Sequence, residues 1–491
     1  MAVFGLFGMV VALAAIVVSI GSLVASSVLA ARGRASGSET AAWAGAVGSV
    51  LAAAALTFCC GLLVFCFLTE DVTIRYVLEN QSHAEGALGV LYRVSGLWAG
   101  REGSLLFWGW LISAFNAVVA ARVLRTHERL DGTALLVSNV VLLAFVSVSL
   151  FSESNMPFAA TEAQYFDANG QLRGAAKLWG MNSLLEHWAM AIHPPTLFVG
   201  YAGLTIPFAY AIAALIVNDP SDAWVRRAQR YAMFSWLFLG VGIGLGAVWA
   251  YVVLGWGGYW GWDPVENASL LSWMMALALI HSFTVYRQRG GFKRWSVMCA
   301  CLSFSFVVVG TFITRSGIVQ SVHAFSGDPI SLELFGGLIV VSVIAGVVGL
   351  ALRWKSFAAD DDIETMASKN AAYYFNNVIM VVFTLLLTYL TVASALPSFL
   401  PFGGMSVSTG TYNAIARPIG IVYCLILAVC PLLSWGHTDR ATFLKHAKVP
   451  FVCAIVLFAV LMAYWAFALY PAYDAVIQAG GTQADELLSE G

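Results

Sequence analysis

The chain has 491 residues, of which 60% are hydrophobic and only 11% are charged, with a mean hydropathy of +0.81. This composition excludes a soluble protein of this length and indicates an integral membrane protein. The formal net charge is −2 and no segment is strongly basic, so a nucleic-acid partner is not expected. The expected environment of the chain is the lipid bilayer.

Apolar stretches long enough to cross a bilayer as helices recur along nearly the whole sequence. We predict an all-α polytopic membrane protein with about twelve transmembrane helices. The predicted spans are 5–30, 42–68, 103–123, 133–151, 188–216, 231–254, 269–286, 295–314, 334–352, 373–396, 418–435 and 449–470. We group them as N-terminal helices 1–4 (1–151), a loop (152–187), a core with helices 5–8 (188–335), C-terminal helices 9–12 (336–470) and a polar tail (471–491).

Basic residues fall in every second connecting loop, as in the loop with Arg122, Arg125 and Arg129. The positive-inside rule places these loops in the cytoplasm, so both termini, the loop 152–187 and the tail are predicted on the outer side. The first span has no basic residue before it and arginines after it, which predicts an uncleaved helix and not a signal peptide. The predicted localisation is the plasma (inner) membrane, with the functional loops on the outer, periplasmic side.

The eight cysteines all lie inside predicted spans, and none forms a Cys-x-x-Cys or Cys-x-x-Cys-His pattern. We interpret them as small apolar packing residues. The chain is therefore predicted to be neither a thiol oxidoreductase nor itself a c-type cytochrome.

A dense aromatic run follows the sixth predicted span, on the predicted outer face. Trp256, Tyr259, Trp260 and Trp262 lie within seven residues and are interleaved with glycines. Aromatic faces stack on extended π-systems, and glycine lets the backbone approach a ligand closely. The run therefore predicts a site for a large flat ligand, with a porphyrin as the first candidate. The alternative is an interfacial aromatic belt.

The residues that follow this run have the pattern of a helix start. Asp263 is predicted as the N-cap, Pro264 as the first helical residue and Glu266 as the third residue of a capping box. We interpret Asp263 as a helix cap first and as a ligand contact second.

Two histidines are predicted on the same outer face. His193 precedes Pro194 and Pro195, which favour an extended conformation for it and a break or kink at the start of the fifth span. His323 lies in the loop after the eighth span. Two neutral imidazoles on opposite sides of a stacked macrocycle would supply both axial ligands of a haem iron, and a structural role for each histidine is the alternative.

Two further charged or ionisable residues lie in unusual places. Arg315, at the outer end of a span, requires an anionic partner, and either a haem propionate or Asp328 would serve. His281 lies within the seventh span, where an ionisable group is a functional candidate. It is interpreted either as a ligand of a second haem or as a hydrogen-bonding partner of a neighbouring helix. The glycines at 240, 242, 244 and 246 predict close helix packing and not a nucleotide-binding loop.

These residues resemble a known family. The sequence is similar to CcmF, the haem-handling membrane subunit of the haem lyase in cytochrome c maturation (System I), and shares the tryptophan-rich signature of the wider haem-handling group. The resemblance is carried by segments spread over most of the chain, within 92–105, 182–201, 256–269 and 314–325.

The resemblance implies a function and partners. His193 and His323 would ligate haem delivered by the haem chaperone CcmE, the aromatic loop would grip that haem, and His281 would be one ligand of a separate, embedded haem b. The segment 188–335 would be the haem-handling core. With a CcmH-type subunit that handles apocytochrome c, the chain would act as a haem lyase component, and the reaction would add two thiols of the apocytochrome across the haem vinyl groups.

Departures from the family pattern, the largest of them at the C-terminal end, and two competing functions accompany this resemblance. Family members usually continue beyond the twelfth span, and the histidine opposite the embedded haem lies in that continuation. We therefore expect either a separate polypeptide that supplies it, or an embedded haem that is absent or differently ligated. The competing functions are a haem transporter or exporter, and a structural assembly scaffold of a membrane complex.

Overall fold

A computed structural model describes residues 1–254, 258–319, 321, 327–359, 361, 363 and 365–480. Within these residues the chain folds into helices and loops, without strands. The α-helices are α1 (Ala2–Ala31), α2 (Ala35–Leu68), α3 (Arg75–Asn80), α4 (Gly86–Ala99), α5 (Arg101–Thr126), α6 (Arg129–Phe151), α7 (Trp188–Val217), α8 (Ala223–Trp249), α9 (Pro264–Arg289), α10 (Lys293–Ser316), α11 (Pro329–Leu352), α12 (Lys369–Thr391), α13 (Thr409–Val429), α14 (Arg440–Tyr464) and α15 (Tyr470–Ala479). Helix α8 continues into a π-helical turn, and a second π-helical turn joins α14 to α15.

Twelve helical segments of the described chain are long and apolar enough to cross a membrane: α1, α2, each of α5 to α13, and α14 joined with α15. The predicted all-α polytopic membrane fold, with about twelve spans, is confirmed. Helix starts differ most from the prediction, since α2 begins at Ala35 and α13 at Thr409. A hydropathy window records the apolar segment, whereas the helix continues into polar residues beyond it.

Successive long helices from α1 to α11 run in opposite directions, which gives this bundle two ends. We call the end at which α7 begins the His193 end. Met1 lies there, because its amino group is 3.9 Å from Asp71, which follows α2. Arg101 Nε, at the start of α5, donates to the carbonyl of Ser154 at the same end.

A buried carboxylate joins four helices at the opposite end, which we call the Arg122 end. Asp131 of α6 is 0% exposed and accepts a hydrogen bond of 2.7 Å from the hydroxyl of Tyr210 in α7. Its carboxylate also lies 3.2 Å from Nε of Arg227 in α8 and 3.6 Å from Nε of Arg122 in α5. Buried charges are tolerated when they are paired in this way, so the cluster fixes the spacing of α5 to α8.

The glycines of α8 bring α7 and α8 close together, as predicted. A Cβ atom at Gly242 would lie 2.6 Å from Leu197, and one at Gly246 would lie 2.5 Å from the His193 ring. Gly240 faces Trp273 of α9 instead. Because three of the four glycines meet a neighbouring helix, the packing interpretation is confirmed.

The chain divides into two compact units. The first comprises Met1–Asp361 with Asn376–Gly420, and the second comprises Asp362–Phe375 with Ile421–Gly491. The boundary passes through α12 and α13, so it does not coincide with the predicted divisions, which group segments by role. In the second unit, Tyr373 stacks on Trp435 at 5.7 Å.

Candidate functional site

A cavity of about 460 Å³ lies at the His193 end of the first unit. This volume is within the usual range of small-molecule pockets, about 300–1,000 Å³. Three predicted site residues, His193, Trp260 and Arg315, lie in its wall. The full lining consists of Asn80, Trp98, Ala99, Gly100, Ser104, Trp108, Asn182, Leu185, Met190, His193, Pro194, Leu197, Phe198, Tyr201, Ile243, Gly246, Ala247, Trp249, Trp260, Val265, Glu266, Ala268, Ser269, Gly310, Thr311, Thr314 and Arg315.

His193 lies inside the continuous helix α7, which begins at Trp188 and runs through Pro194 and Pro195. The predicted extended conformation and broken helix start are therefore wrong. The two prolines remove only the amide partners of two carbonyls in the first turn. Close packing of the following turns on α8 outweighs the local preference of the residue before a proline.

The ring of His193 is oriented by the backbone of α8. Its Nδ1 atom lies 2.7 Å from the carbonyl oxygen of Gly242. A carbonyl oxygen can only accept a hydrogen bond, so Nδ1 carries the proton. A neutral imidazole in this form has its lone pair on Nε2, the form in which histidine ligates a metal.

The described rings of the aromatic run have different surroundings. Trp260 lies in the cavity wall. Tyr259 is 57% exposed and stacks on Tyr251 at 4.4 Å, outside the cavity lining. Trp262 stacks on Tyr412 at 5.1 Å and donates to the side chain of Asn413. Trp256, the fourth ring, lies outside the described residues.

Asp263 caps α9 as predicted. Its carboxylate accepts from the amide of Val265 at 2.9 Å, and Glu266 accepts from the amide of Asp263 at 3.1 Å, which completes the capping box. The same Asp263 oxygen accepts from the hydroxyl of Ser321 at 2.7 Å. The start of α9 is thereby tied to Ser321, which precedes the second predicted histidine by two positions in the sequence. His323 itself lies outside the described residues.

Arg315 is 2% exposed and lies in the cavity wall. Its guanidinium donates to the carbonyl of Arg101 at 3.0 Å and to the hydroxyl of Ser104 at 2.7 Å. These two neutral oxygens hold the guanidinium against the start of α5.

Asp328, the predicted alternative partner of Arg315, caps α11. Burial raises the pKa of its carboxyl, but hydrogen bonds from Ser331, Ser154 and Asn155 outweigh burial and lower the pKa to about 2. Asp328 therefore carries its charge at any physiological pH, and these donors offset that charge.

Three indole nitrogens of the cavity wall are buried without an acceptor in the described part of the chain. They belong to Trp98, Trp108 and Trp260. A buried donor without an acceptor costs roughly 1–3 kcal/mol, so proteins rarely keep several together. Trp249, another wall residue, instead donates to the carbonyl of Leu184 at 3.2 Å.

Trp98 and Trp108 were not predicted as site residues, because no local pattern distinguishes them from packing or belt residues. Trp98 occurs in the early segment that resembles the family, and this was the only available signal. Trp108 lies within α5, and its place in the wall depends on how α5 packs against α7.

His281 lies in α9, and the structure does not place it in this cavity wall. The side-chain amide of Asn376 in α12 donates to its Nδ1 atom at 2.6 Å. Asn377 donates to the hydroxyl of Ser282 at 2.9 Å. A hydrogen bond to a neighbouring helix, one of the two predicted interpretations, is therefore present.

The chain is similar to known proteins over most of its length. A family model described as cytochrome C assembly protein matches residues 98–319, a range that contains the whole cavity lining except Asn80. The cytochrome c-type biogenesis protein ccl1 of Rhodobacter capsulatus is 35% identical over 411 residues, which are 83% of this chain and 59% of that protein. The cytochrome c-type biogenesis protein CcmF of Escherichia coli is 33% identical over 407 residues, or 83% and 60% of the two chains.

A solved structure of the cytochrome c haem lyase CcmF is also similar, with a TM-score of 0.67 and 25% identity. The similarity covers 89% of this chain and 62% of that one. These comparisons support a CcmF-type protein. This CcmF-type chain spans about three fifths of the length of the relatives that it matches.

Proposed function

We propose that this CcmF-type chain is the haem-handling component of a haem lyase in cytochrome c biogenesis. The cavity at the His193 end receives haem from the chaperone CcmE and presents it to apocytochrome c, which a CcmH-type subunit supplies. The His193 end and both termini face the outer side of the plasma membrane, and the segment 188–335 is the haem-handling core. The observation that carries this proposal is His193, held in the cavity wall with its proton on Nδ1.

In this proposal the side chains bind and orient the haem, which is a substrate. His193 and His323 ligate its iron, Trp260 lies against the macrocycle, and the aromatic residues at 256, 259 and 262 complete the loop that grips it, with Asp263 holding the loop in place. Arg315 pairs with a propionate.

The bond-forming step needs no net oxidant or reductant. Each thiol of the apocytochrome adds across a vinyl double bond, so that sulfur bonds to one vinyl carbon and the thiol hydrogen passes to the other. Two such additions give two thioethers. The contribution of the chain is to fix the vinyl groups beside the thiols and to exclude water, which is worth most when both reactants are held in reactive geometry.

We also propose that His281 provides one ligand of an embedded haem b. Its neighbour Asn376 has a buried side-chain oxygen without a hydrogen-bond partner in the described chain. If the amide turns over, this oxygen accepts from Nδ1 of His281 and leaves a lone pair on Nε2. His281, held by Asn376, would then bind the haem, and the haem would supply electron transfer.

Maturation of a co-expressed c-type cytochrome tests the main proposal. His193→Ala and His323→Ala are each expected to abolish covalent haem attachment, measured by haem staining after denaturing electrophoresis. His446→Ala, an exposed histidine of α14, is the matched control and should leave maturation unchanged. Membrane levels of every variant are measured in parallel.

Covalent haem in both variants at normal protein levels would falsify this mechanism. The haem-exporter alternative is tested in cells that lack the chain. Haem that still accumulates on the chaperone in these cells excludes an exporter, because export then proceeds without this protein.

The hydrogen bond between Ser321 and Asp263 predicts a smaller effect on haem handling than the loss of either histidine. Ser321→Ala removes one hydrogen bond two positions before His323 in the sequence but leaves the cap of α9, so haem affinity should fall by about 2–10-fold with little change in thermal stability. Asp263→Ala should reduce both affinity and stability, the latter by about 0.5–2 kcal/mol through the lost cap.

Absorbance titration with haem and thermal unfolding in detergent measure the two effects. Ser316→Ala is the control, since among the described residues the Ser316 hydroxyl accepts only a weak bond of 3.3 Å from the Ile318 amide. Equal affinities for Ser321→Ala and Ser316→Ala would show that the link does not position the site.

A further inference from the structure

Several hydrogen-bond donors without acceptors lie around one cavity. The indole N–H groups of Trp98, Trp108 and Trp260 are buried, and none has an acceptor in the described chain. They come from the end of α4, the interior of α5 and the aromatic run, so three separate elements contribute them. Such an arrangement is explained if a bound molecule supplies the acceptors.

Arg315 lines the same cavity as these donors. Gly100, Ser104 and Trp108 are spaced by four residues at the start of α5 and line the cavity on one face of that helix. The Arg315 guanidinium donates to Ser104, in the middle of this face, and Trp98 precedes Gly100 by two residues. A cation and indole donors therefore line one cavity.

The other residues of the cavity wall indicate which kind of ligand body would fit the cavity. Leu197, Phe198, Ile243, Ala247 and Val265 are apolar residues of α7, α8 and α9. An apolar body with acidic substituents suits this combination, because the body packs against these residues while anionic oxygens accept from N–H groups.

We propose that Trp98, Trp108, Trp260 and Arg315 form a carboxylate subsite that binds the propionates of haem and so sets the orientation of the porphyrin. This inference rests on the proposed function of the same cavity. The three tryptophans position the haem by donating hydrogen bonds from their indole N–H groups. A phenylalanine ring at the same position has no such donor and cannot do this.

Other tryptophans provide an internal comparison. Trp236 and Trp273 also have buried indole nitrogens without acceptors. They stack on each other at 5.4 Å between α8 and α9 and are absent from the cavity lining. They serve as controls for the general cost of replacing a buried tryptophan.

The experiment titrates the purified full-length chain in detergent with haem and with haem dimethyl ester, in which both propionates are esterified. Trp98→Phe and Trp260→Phe keep an aromatic ring and remove the donor. Each should weaken haem binding by about tenfold, the effect of one charge-assisted hydrogen bond, and change ester binding less than about twofold. Trp236→Phe and Trp273→Phe should change neither affinity.

Trp108→Phe is expected to behave like the first two variants. The ring centroids of Trp108 and Phe145 lie 4.7 Å apart in the core. If this variant unfolds, Trp98→Phe and Trp260→Phe decide the question. Arg315→Gln should likewise weaken binding of haem more than binding of the ester.

Two results overturn the inference in distinguishable ways. If the unaltered chain binds haem and its ester equally, and Trp98→Phe and Trp260→Phe do not alter haem affinity, the subsite is wrong and the proposed function stands. If the unaltered chain binds neither molecule, both the proposed haem site and the carboxylate subsite are wrong.

Discussion

Replacing Gly246 with alanine is expected to weaken haem binding by about 10–100-fold, the usual effect of disturbing the residues that orient a metal ligand. A Cβ atom at this position would lie 2.5 Å from Cε1 of His193, which is too close for the ring to stay in place. The ring must then turn or α8 must move away from α7. Either movement breaks the bond of 2.7 Å between His193 Nδ1 and the carbonyl of Gly242.

Gly244 provides the matched control for this substitution. It lies in the same helix, two residues away, and a Cβ atom there would meet nothing within 4 Å. Gly244→Ala should leave haem affinity unchanged and stabilise α8 slightly, because alanine favours helix over glycine by about 1 kcal/mol. Absorbance titration measures both variants. Equal affinity of Gly246→Ala and Gly244→Ala would show that His193 does not depend on this contact.

Replacing Asp131 with alanine is expected to lower the free energy of unfolding by about 3–5 kcal/mol, the usual cost of removing one partner from a buried ion pair. The substitution leaves Arg227 without its buried partner and removes the acceptor of the Tyr210 hydroxyl. Since Asp131 contacts α5, α7 and α8, the loss should weaken the packing of these helices at the Arg122 end.

Unfolding in mixed detergent, followed by circular dichroism, measures this effect. Asp222→Asn is the control, since Asp222 pairs with Arg226 one turn away on an exposed surface. That pair should contribute less than about 1 kcal/mol. Folded Asp131→Ala should retain haem affinity, because the cavity lies at the other end of the helices. A stability loss no larger than that of Asp222→Asn would contradict the proposed role of the cluster.

The sequence predicted features that depend on local composition. The spans follow from long apolar stretches, and the cap at Asp263 follows from residues within one turn of each other. These features need no knowledge of neighbouring helices. The same reasoning placed His193, Trp260 and Arg315 among the site residues, and they line one cavity.

The glycines of α8 predicted close packing, but the sequence did not predict which helices meet or what that contact does to single residues. The helical conformation of His193 opposes the local preference set by two prolines, and it is observed because α8 packs against the following turns. Trp98 and Trp108 enter the cavity wall only through the arrangement of α4, α5 and α7. The sequence contains each of these residues, but no periodicity in it specifies which helices meet.

The hydrogen bond that orients His193 ends on a main-chain oxygen, and this limits how the site can change during evolution. A side-chain acceptor can be lost or exchanged by one codon change, whereas every amino acid at position 242 offers the same carbonyl. Drift at that position can therefore act on the histidine only through the volume of the new side chain, which would push against Leu197. The proton therefore stays on Nδ1 of His193 as long as the spacing of α7 and α8 is kept. A protein designer who wished to move it would have to redesign that spacing.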